Sequence, residues 1–227
     1  MTEITDKSKA HKYILGLYKI LDTLTANFPE VLFESCASGG NRFDPGMLYY
    51  MQQTWTSDDT DAIERLKIQY GTSIVYPTIT MGAHVSDVAN HQTARITSLD
   101  IRNKVAFFGN FGYELDISKF SDSQKLEVKE NLEYFKENRK LLQFGDFIRL
   151  SSPFESNFVS WMTISSDKSE AIIGYYEILA DTNPTYNKKI KLKGLNEDFL
   201  YKINDEYEAY GDELMNMGIV FEQPHRY

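Results

Sequence analysis

Three carboxylates follow a tryptophan closely in Trp55-Thr56-Ser57-Asp58-Asp59-Thr60-Asp61. Capping of a helix N-terminus is the plain reading for Asp61, and it extends to Asp59. Three carboxylates are more than capping needs. A carboxylate crowded by like charges and half buried against Trp55 has its pKa raised, which suits a general acid working near neutrality, while the helix N-terminus pulls the other way. A second candidate is the small-residue stretch Glu34-Ser35-Cys36-Ala37-Ser38-Gly39-Gly40. Gly39 and Gly40 let backbone approach a ligand, with Cys36 and Ser38 beside it; the plain alternative is a tight turn around a buried thiol. No histidine near Cys36 in sequence would make it a thiolate. The seven-residue step from His84 to His91 fits no compact metal-ligand spacing and has no cysteine with it, so a loop bonded to itself at the rim of a cleft is the better reading there. No Walker A or Gly-x-Gly-x-x-Gly pattern supports a nucleotide cofactor.

The elements that must position these residues alternate between helix and strand periodicity. Ile14, Leu17, Tyr18, Leu21 and Leu24 form one helical stripe within residues 13–24, suited to burial against a sheet. Val31-Leu32-Phe33 reads as a buried strand that ends in the Cys36 loop. Asp44-Pro45 opens a short helix to about Tyr50, and a strand over residues 53–56 leads to the carboxylates. Asp61 and Glu64 have capping-box spacing for a helix that Gly71 can end in a left-handed cap. Residues 78–81 read as a strand, 82–95 as a polar loop, and 105–108 with 112–115 as one further strand around Gly109-Asn110-Phe111. Ser121 and Gln124 start the longest helix, to about Leu142, with Gly145 beyond it. After Phe147 the pattern changes to short runs at 158–164, 171–179, 189–192, 199–203 and 207–210, separated by turn formers. We therefore expect α/β structure over residues 1–150 and a small antiparallel β-domain over 151–227. About four strand-helix units make half a barrel, whose sheet has open edges and an uncovered inner face, unless the sheet is an open doubly wound one.

Composition narrows the function classes. The 227 residues are 42% hydrophobic and 25% charged, as in a globular protein. Thirty-three acidic against 24 basic side chains give a charge of −9, which repels phosphate backbones and anionic lipid, so neither nucleic acid nor a membrane surface is an expected partner. No apolar run approaches the roughly 20 residues that span a bilayer. A single cysteine excludes an internal disulfide, and residues 1–10 are polar and charged, unlike a signal peptide, so a cytoplasmic location is expected.

The stretch Leu32 to Met51, with Glu34-Ser35-Cys36-Ala37-Ser38-Gly39-Gly40-Asn41-Arg42-Phe43-Asp44-Pro45-Gly46 at its heart, closely resembles the α-galactosidases of glycoside hydrolase family 36. So do Gln53 to Leu66, Met81-Gly82-Ala83-His84-Val85-Ser86, Asn90-His91-Gln92-Thr93, Gly109 to Leu115 and Gly211 to Met215. The resemblance covers nearly the whole chain. It implies a retaining hydrolase of terminal α-galactosides of the raffinose and melibiose class, with a (β/α)8 TIM barrel followed by an antiparallel domain, and no metal or organic cofactor. In the family's pattern the first Asp of Trp-x-Ser-Asp-Asp is the acid/base, so that role falls on Asp58; Cys36, Gly39 and Trp55 would line the galactose subsite. The family's nucleophile, an Asp in a Lys-Trp-Asp-Met-Asn-Arg type motif, has no counterpart here. Met1-Thr2-Glu3-Ile4-Thr5 resembles the sequence just after it, and a final strand could follow His225-Arg226-Tyr227. The expectation is thus the second half of the barrel with its C-terminal domain, inactive alone for want of the nucleophile. The rival expectation is a non-catalytic galactoside-binding or scaffold fragment that forms a homo-oligomer through its half-barrel.

Overall fold

The computed structural model describes residues 7–179, 187–204 and 206–222. The Met1 to Thr5 start, the Asp181-Thr182-Asn183-Pro184 turn and the His225 to Tyr227 end lie outside them. The chain divides into two compact units, Met1–Thr56 and Ser57–Tyr227, and its fold is mixed α/β with antiparallel sheets.

The first unit holds helix α1 (Lys7–Asn27), strand β1 (Glu34–Ser35), helix α2 (Pro45–Tyr50) and strand β2 (Gln53–Thr54). Asp44 caps α2 as expected, accepting from the Met47 amide at 3.0 Å, and Pro45 takes the first turn, where a missing N–H costs nothing. β1 and β2 are parallel, Glu34 beside Gln53 and Ser35 beside Thr54. The stripe on α1 is buried only at Leu21; Ile14 and Leu24 are exposed. Pairing begins at Glu34, not at Val31, and Leu32 is 92% exposed, which corrects the expected buried strand. An apolar run is drawn inside only where a neighbouring strand pairs with it, and among the described residues β2 supplies two such positions. Tyr18 packs against the Tyr50 ring, and its hydroxyl lies where a Cβ on Gly46 would stand, so a side chain at position 46 would displace the Tyr18 ring.

The second unit begins with helix α3 (Ala62–Thr72), strand β3 (Gly82–Ser86), helix α4 (Leu99–Ala106), strand β4 (Asn110–Glu114) and helix α5 (Asp122–Phe144). Three expectations are corrected here. Residues 78–80 form a single 3-10 turn after Pro77, and the strand lies in the stretch read as polar loop. Residues 105–108 finish α4 and its turn. Gly71 stays inside α3, which Ser73 ends in a right-handed conformation. β3 and β4 run parallel, from Gly82 beside Asn110 to Ser86 beside Glu114. Two buried guanidiniums grip the ends of β3: Arg65 donates to the Gly82 carbonyl at 2.6 Å and Arg102 to the Ser86 carbonyl at 2.6 Å. Ala83 and Val85 pack on Leu99 and Ala106 of α4. The Ser121 and Gln124 capping box starts α5 as the sequence predicts.

The remainder is antiparallel. Strand β5 (Asp146–Ser151) pairs with β6 (Phe158–Ile164) and β6 with β7 (Ala171–Glu177). Beyond them come β8 (Asn187–Ile190), β9 (Leu200–Ile203), β10 (Tyr207–Tyr210), helix α6 (Gly211–Asn216) and β11 (Ile219–Glu222); β8 pairs with β11 and β9 with β10. β6 is covered on both faces. Val159 and Trp161 join Leu66, Phe108, Phe135 and Leu142 of the helical layer, whereas Met162 and Ile164 join Ile190, Leu192, Leu214 and Ile219. This two-sided burial leaves every position from Val159 to Ile164 buried, the polar Ser160 and Thr163 included.

Leu66 is fully buried in the layer beneath the carboxylate segment. Leu66→Ala is expected to destabilise the chain by about 2–5 kcal/mol through lost burial and a residual cavity. Urea unfolding should show the midpoint fall at an unchanged slope.

Candidate functional site

Residues 57–61 climb into α3 through a ladder of local bonds. The Asp59 amide donates to Ser57 Oγ at 3.1 Å, the Asp61 amide to Asp59 Oδ1 at 3.0 Å, and the Ile63 amide to Asp61 Oδ1 at 2.8 Å. Ser and Asp favour such two-residue side-chain turns, which is why the segment folds locally in this way. The ladder divides the three carboxylates. Asp61 is the buried cap of α3. Asp59 braces the turn and lends its charge to Arg65, whose guanidinium burial pushes down to about 10 against that attraction. Asp58 is exposed, and its carboxylate has no hydrogen-bond or ion-pair partner among the described residues. Glu64 does not complete a capping box; it turns to Lys67 at 3.2 Å and Arg95 at 3.6 Å.

A distant loop, residues 87–95 after β3, fastens this segment. Asn90 donates to Thr60 Oγ1 at 3.0 Å, Gln92 Nε2 to the Asp58 carbonyl at 3.3 Å, and the Thr93 hydroxyl to Asp61 Oδ2. Arg95 Nη1 stands 2.8 Å from Asp61 Oδ1, a charge contact off the direction of its N–H bonds. Burial works to raise the Asp61 carboxyl, but the Thr93 hydroxyl, the Arg95 guanidinium and the Ile63 amide outweigh it and hold the group below the usual carboxylate range. The crowding expected to raise a carboxylate here therefore does not govern Asp61.

Cys36, Gly39 and Trp55 lie together in the first unit. The Trp55 amide extends the β1–β2 ladder, donating to the Ser35 carbonyl at 2.9 Å. After β1 the chain turns back at once: the Ala37 amide meets the Gly39 carbonyl at 3.3 Å, and Ser38 and Gly39 both have positive φ, 53° and 79°. Gly39 is at ease in that conformation. The tight turn is as read, but the thiol is exposed and not buried, because the turn leaves Cys36 outside the two-strand ladder. The two histidines of the loop reading separate. His84 sits on β3 with Nδ1 2.8 Å from Glu114 Oε2, while His91 is exposed on the loop. Among the described residues no cluster of three or more metal-ligating side chains forms. The His84–Glu114 pair is not legible in the sequence, because residues 82–95 read as a polar loop. The alternation of buried Ala83 and Val85 around His84 is the signal that could have revealed it.

A melibiase family model matches residues 1–145, and a model of the glycosyl hydrolase family 36 C-terminal domain matches residues 158–227. The α-galactosidase AgaA of Geobacillus stearothermophilus is 53% identical over 220 residues, 97% of this chain but 30% of the relative. α-Galactosidase Mel36A of Lactobacillus acidophilus is 46% identical over 92% of this chain and 28% of its own length. The crystal structure of AgaA superposes with a TM-score of 0.94 at 51% identity, covering 100% of this chain and 32% of that one. A variant of AgaA in complex with raffinose superposes with a TM-score of 0.92 at 50% identity, covering 99% and 32%. The chain thus spans less than a third of the relatives it matches.

A carboxylate held below its unfolded value contributes stability that is complete above that value, about 3.9, and is lost as pH falls through the lowered folded value. Arg95→Leu is therefore expected to cost about 1–3 kcal/mol at pH 7, by leaving Asp61 buried with fewer partners. Thermal melts of wild type and variant should differ most at neutral pH and converge as Asp61 becomes protonated in both. A difference that persists undiminished below pH 3 would show that the ion pair is not its source.

Proposed function

The chain belongs to the melibiase family of family 36 glycosyl hydrolases, and from that premise we propose that it forms the acid/base-bearing part of an α-galactosidase. Residues 1–150 are then the second half of the (β/α)8 barrel and residues 151–227 its C-terminal β-domain. Asp58 is the acid/base. The observation that supports this assignment is the division of labour in its segment: Asp59 and Asp61 are committed to turn and cap, and Asp58 alone of the three keeps an exposed carboxylate without a partner among the described residues. Cys36, Gly39 and Trp55 line the galactose subsite. The substrate is a terminal α-galactoside, by analogy with relatives whose structures hold raffinose and stachyose. The location is cytoplasmic.

The reaction is double displacement. The Asp58 carboxylic acid gives its proton to the glycosidic oxygen as the bond from that oxygen to the anomeric carbon breaks and a second carboxylate attacks the same carbon. The resulting Asp58 carboxylate then takes a proton from water, whose oxygen displaces the second carboxylate and frees galactose. Retention needs the two carboxyl groups about 5–5.5 Å apart. The 227 residues contain no Lys-Trp-Asp-Met-Asn-Arg type motif to supply the second. A polypeptide of these residues alone is therefore inactive. The competing reading, a galactoside-binding or scaffold fragment, draws on the apolar side chains left exposed on the first unit, Ile14, Leu15, Ile20 and Leu32 among them.

The purified 227-residue chain is expected to release no measurable nitrophenol from p-nitrophenyl α-galactoside, and to gain turnover when mixed with a nucleophile-bearing barrel half. That gain should fall by a hundredfold or more in Asp58→Asn. Robust activity of the chain alone, abolished by the same substitution, would overturn the reading of a missing nucleophile. Calorimetric binding of galactose without any turnover in the mixture would favour the scaffold reading.

A further inference from the structure

The loop after β3 does more than bond to itself. Asn90 is 5% exposed, and its side-chain carbonyl accepts from the Gln92 amide at 2.8 Å and the Thr93 amide at 2.9 Å, an ordinary loop-closing arrangement. Its amide nitrogen leaves the loop and donates to Thr60 Oγ1, thirty residues earlier in the chain. Gln92 reaches the backbone carbonyl of Asp58, and Thr93 and Arg95 reach the carboxylate of Asp61. Positions 58, 60 and 61 are each tied to residues 90–95, while no described residue bonds to the carboxylate of Asp58. A group that must deliver a proton to a bound oxygen needs this combination of a fixed backbone and an uncommitted side chain, since a misplacement of about 1 Å can cost a hundredfold in rate.

We propose that Asn90 is a positioning residue for Asp58, acting through Thr60, and that residues 90–95 form a clamp which sets where the acid/base carboxylate stands. This deepens the reading of Asp58 as acid/base and rests on it. The contact is a 3.0 Å hydrogen bond, part-buried and long-range in sequence. Replacing Thr60 by valine keeps its shape and removes only the hydroxyl that Asn90 reaches, while serine keeps the hydroxyl.

The test uses the full 227-residue chain, isotopically labelled, as wild type, Thr60→Val, Thr60→Ser and Asn90→Ala. Amide hydrogen exchange at Asp59 and Asp61 and the carboxyl carbon titration of Asp58 are followed by NMR, with the amide of Trp161 in β6 as the internal reference. Thr60→Val and Asn90→Ala are expected to speed exchange at Asp59 and Asp61 tenfold or more while Trp161 holds, and to displace the Asp58 titration curve; Thr60→Ser should restore both. Wild-type exchange and titration in Thr60→Val would overturn the proposal. So would acceleration of equal size at Trp161, the pattern of a general loss of stability. Asp58→Asn in the same chain should leave exchange at Asp61 unchanged whatever the galactoside assay returns, so a failed acid/base reading and a failed clamp give different results.

Discussion

The carboxylate segment depends on one buried charge, that of Asp61. A carboxylate out of water must be met by donors or it will not stay ionised. The Ile63 amide, the Thr93 hydroxyl and Arg95 meet it from two different parts of the chain. The same oxygens thereby start helix α3 and anchor the loop after β3. The position of Asp58, three residues earlier, follows from that junction through the Asp59 turn and the Gln92 bond. Arg65 and Arg102 do similar work for β3, holding its two ends by their carbonyls from helices α3 and α4.

Beneath these polar junctions the second unit has two apolar layers that share β6, beside the smaller cluster in which β3 packs on α4. One layer joins the helices to Val159 and Trp161, and the other joins Met162 and Ile164 to the later strands. Non-directional burial fixes the distance between layers, while the directional bonds of the junctions fix where individual side chains stand. A side chain held at a fixed point beside a strand end needs both.

The first unit has a different balance. Its two short parallel strands present the Cys36 turn and Trp55, and its helix α1 buries Leu21 while Ile14, Leu15 and Ile20 remain exposed. The chain matches less than a third of its relatives' length. Within these 227 residues the Trp55 to Asp61 segment carries three carboxylates, and no Lys-Trp-Asp-Met-Asn-Arg type motif occurs.

Much of this was legible in the residues alone. The caps at Asp44, Asp61 and Ser121, the long helix α5, and strands β6 and β10 follow from short-range rules, since a cap or an alternating run is specified by its own neighbours. The motif around Asp58 was legible for the same reason. Strand β3 was not, because Gly82-Ala83-His84-Val85-Ser86 has weak strand chemistry of its own and is held by guanidiniums from residues 65 and 102. Spacing also marks Asp61 and Asp59 for the cap and its turn, and local bonds carry both roles. What only the fold decided is how the buried charge of Asp61 is met, by Thr93 and Arg95 more than thirty residues away, since a buried charge is satisfied by whatever the fold brings to it.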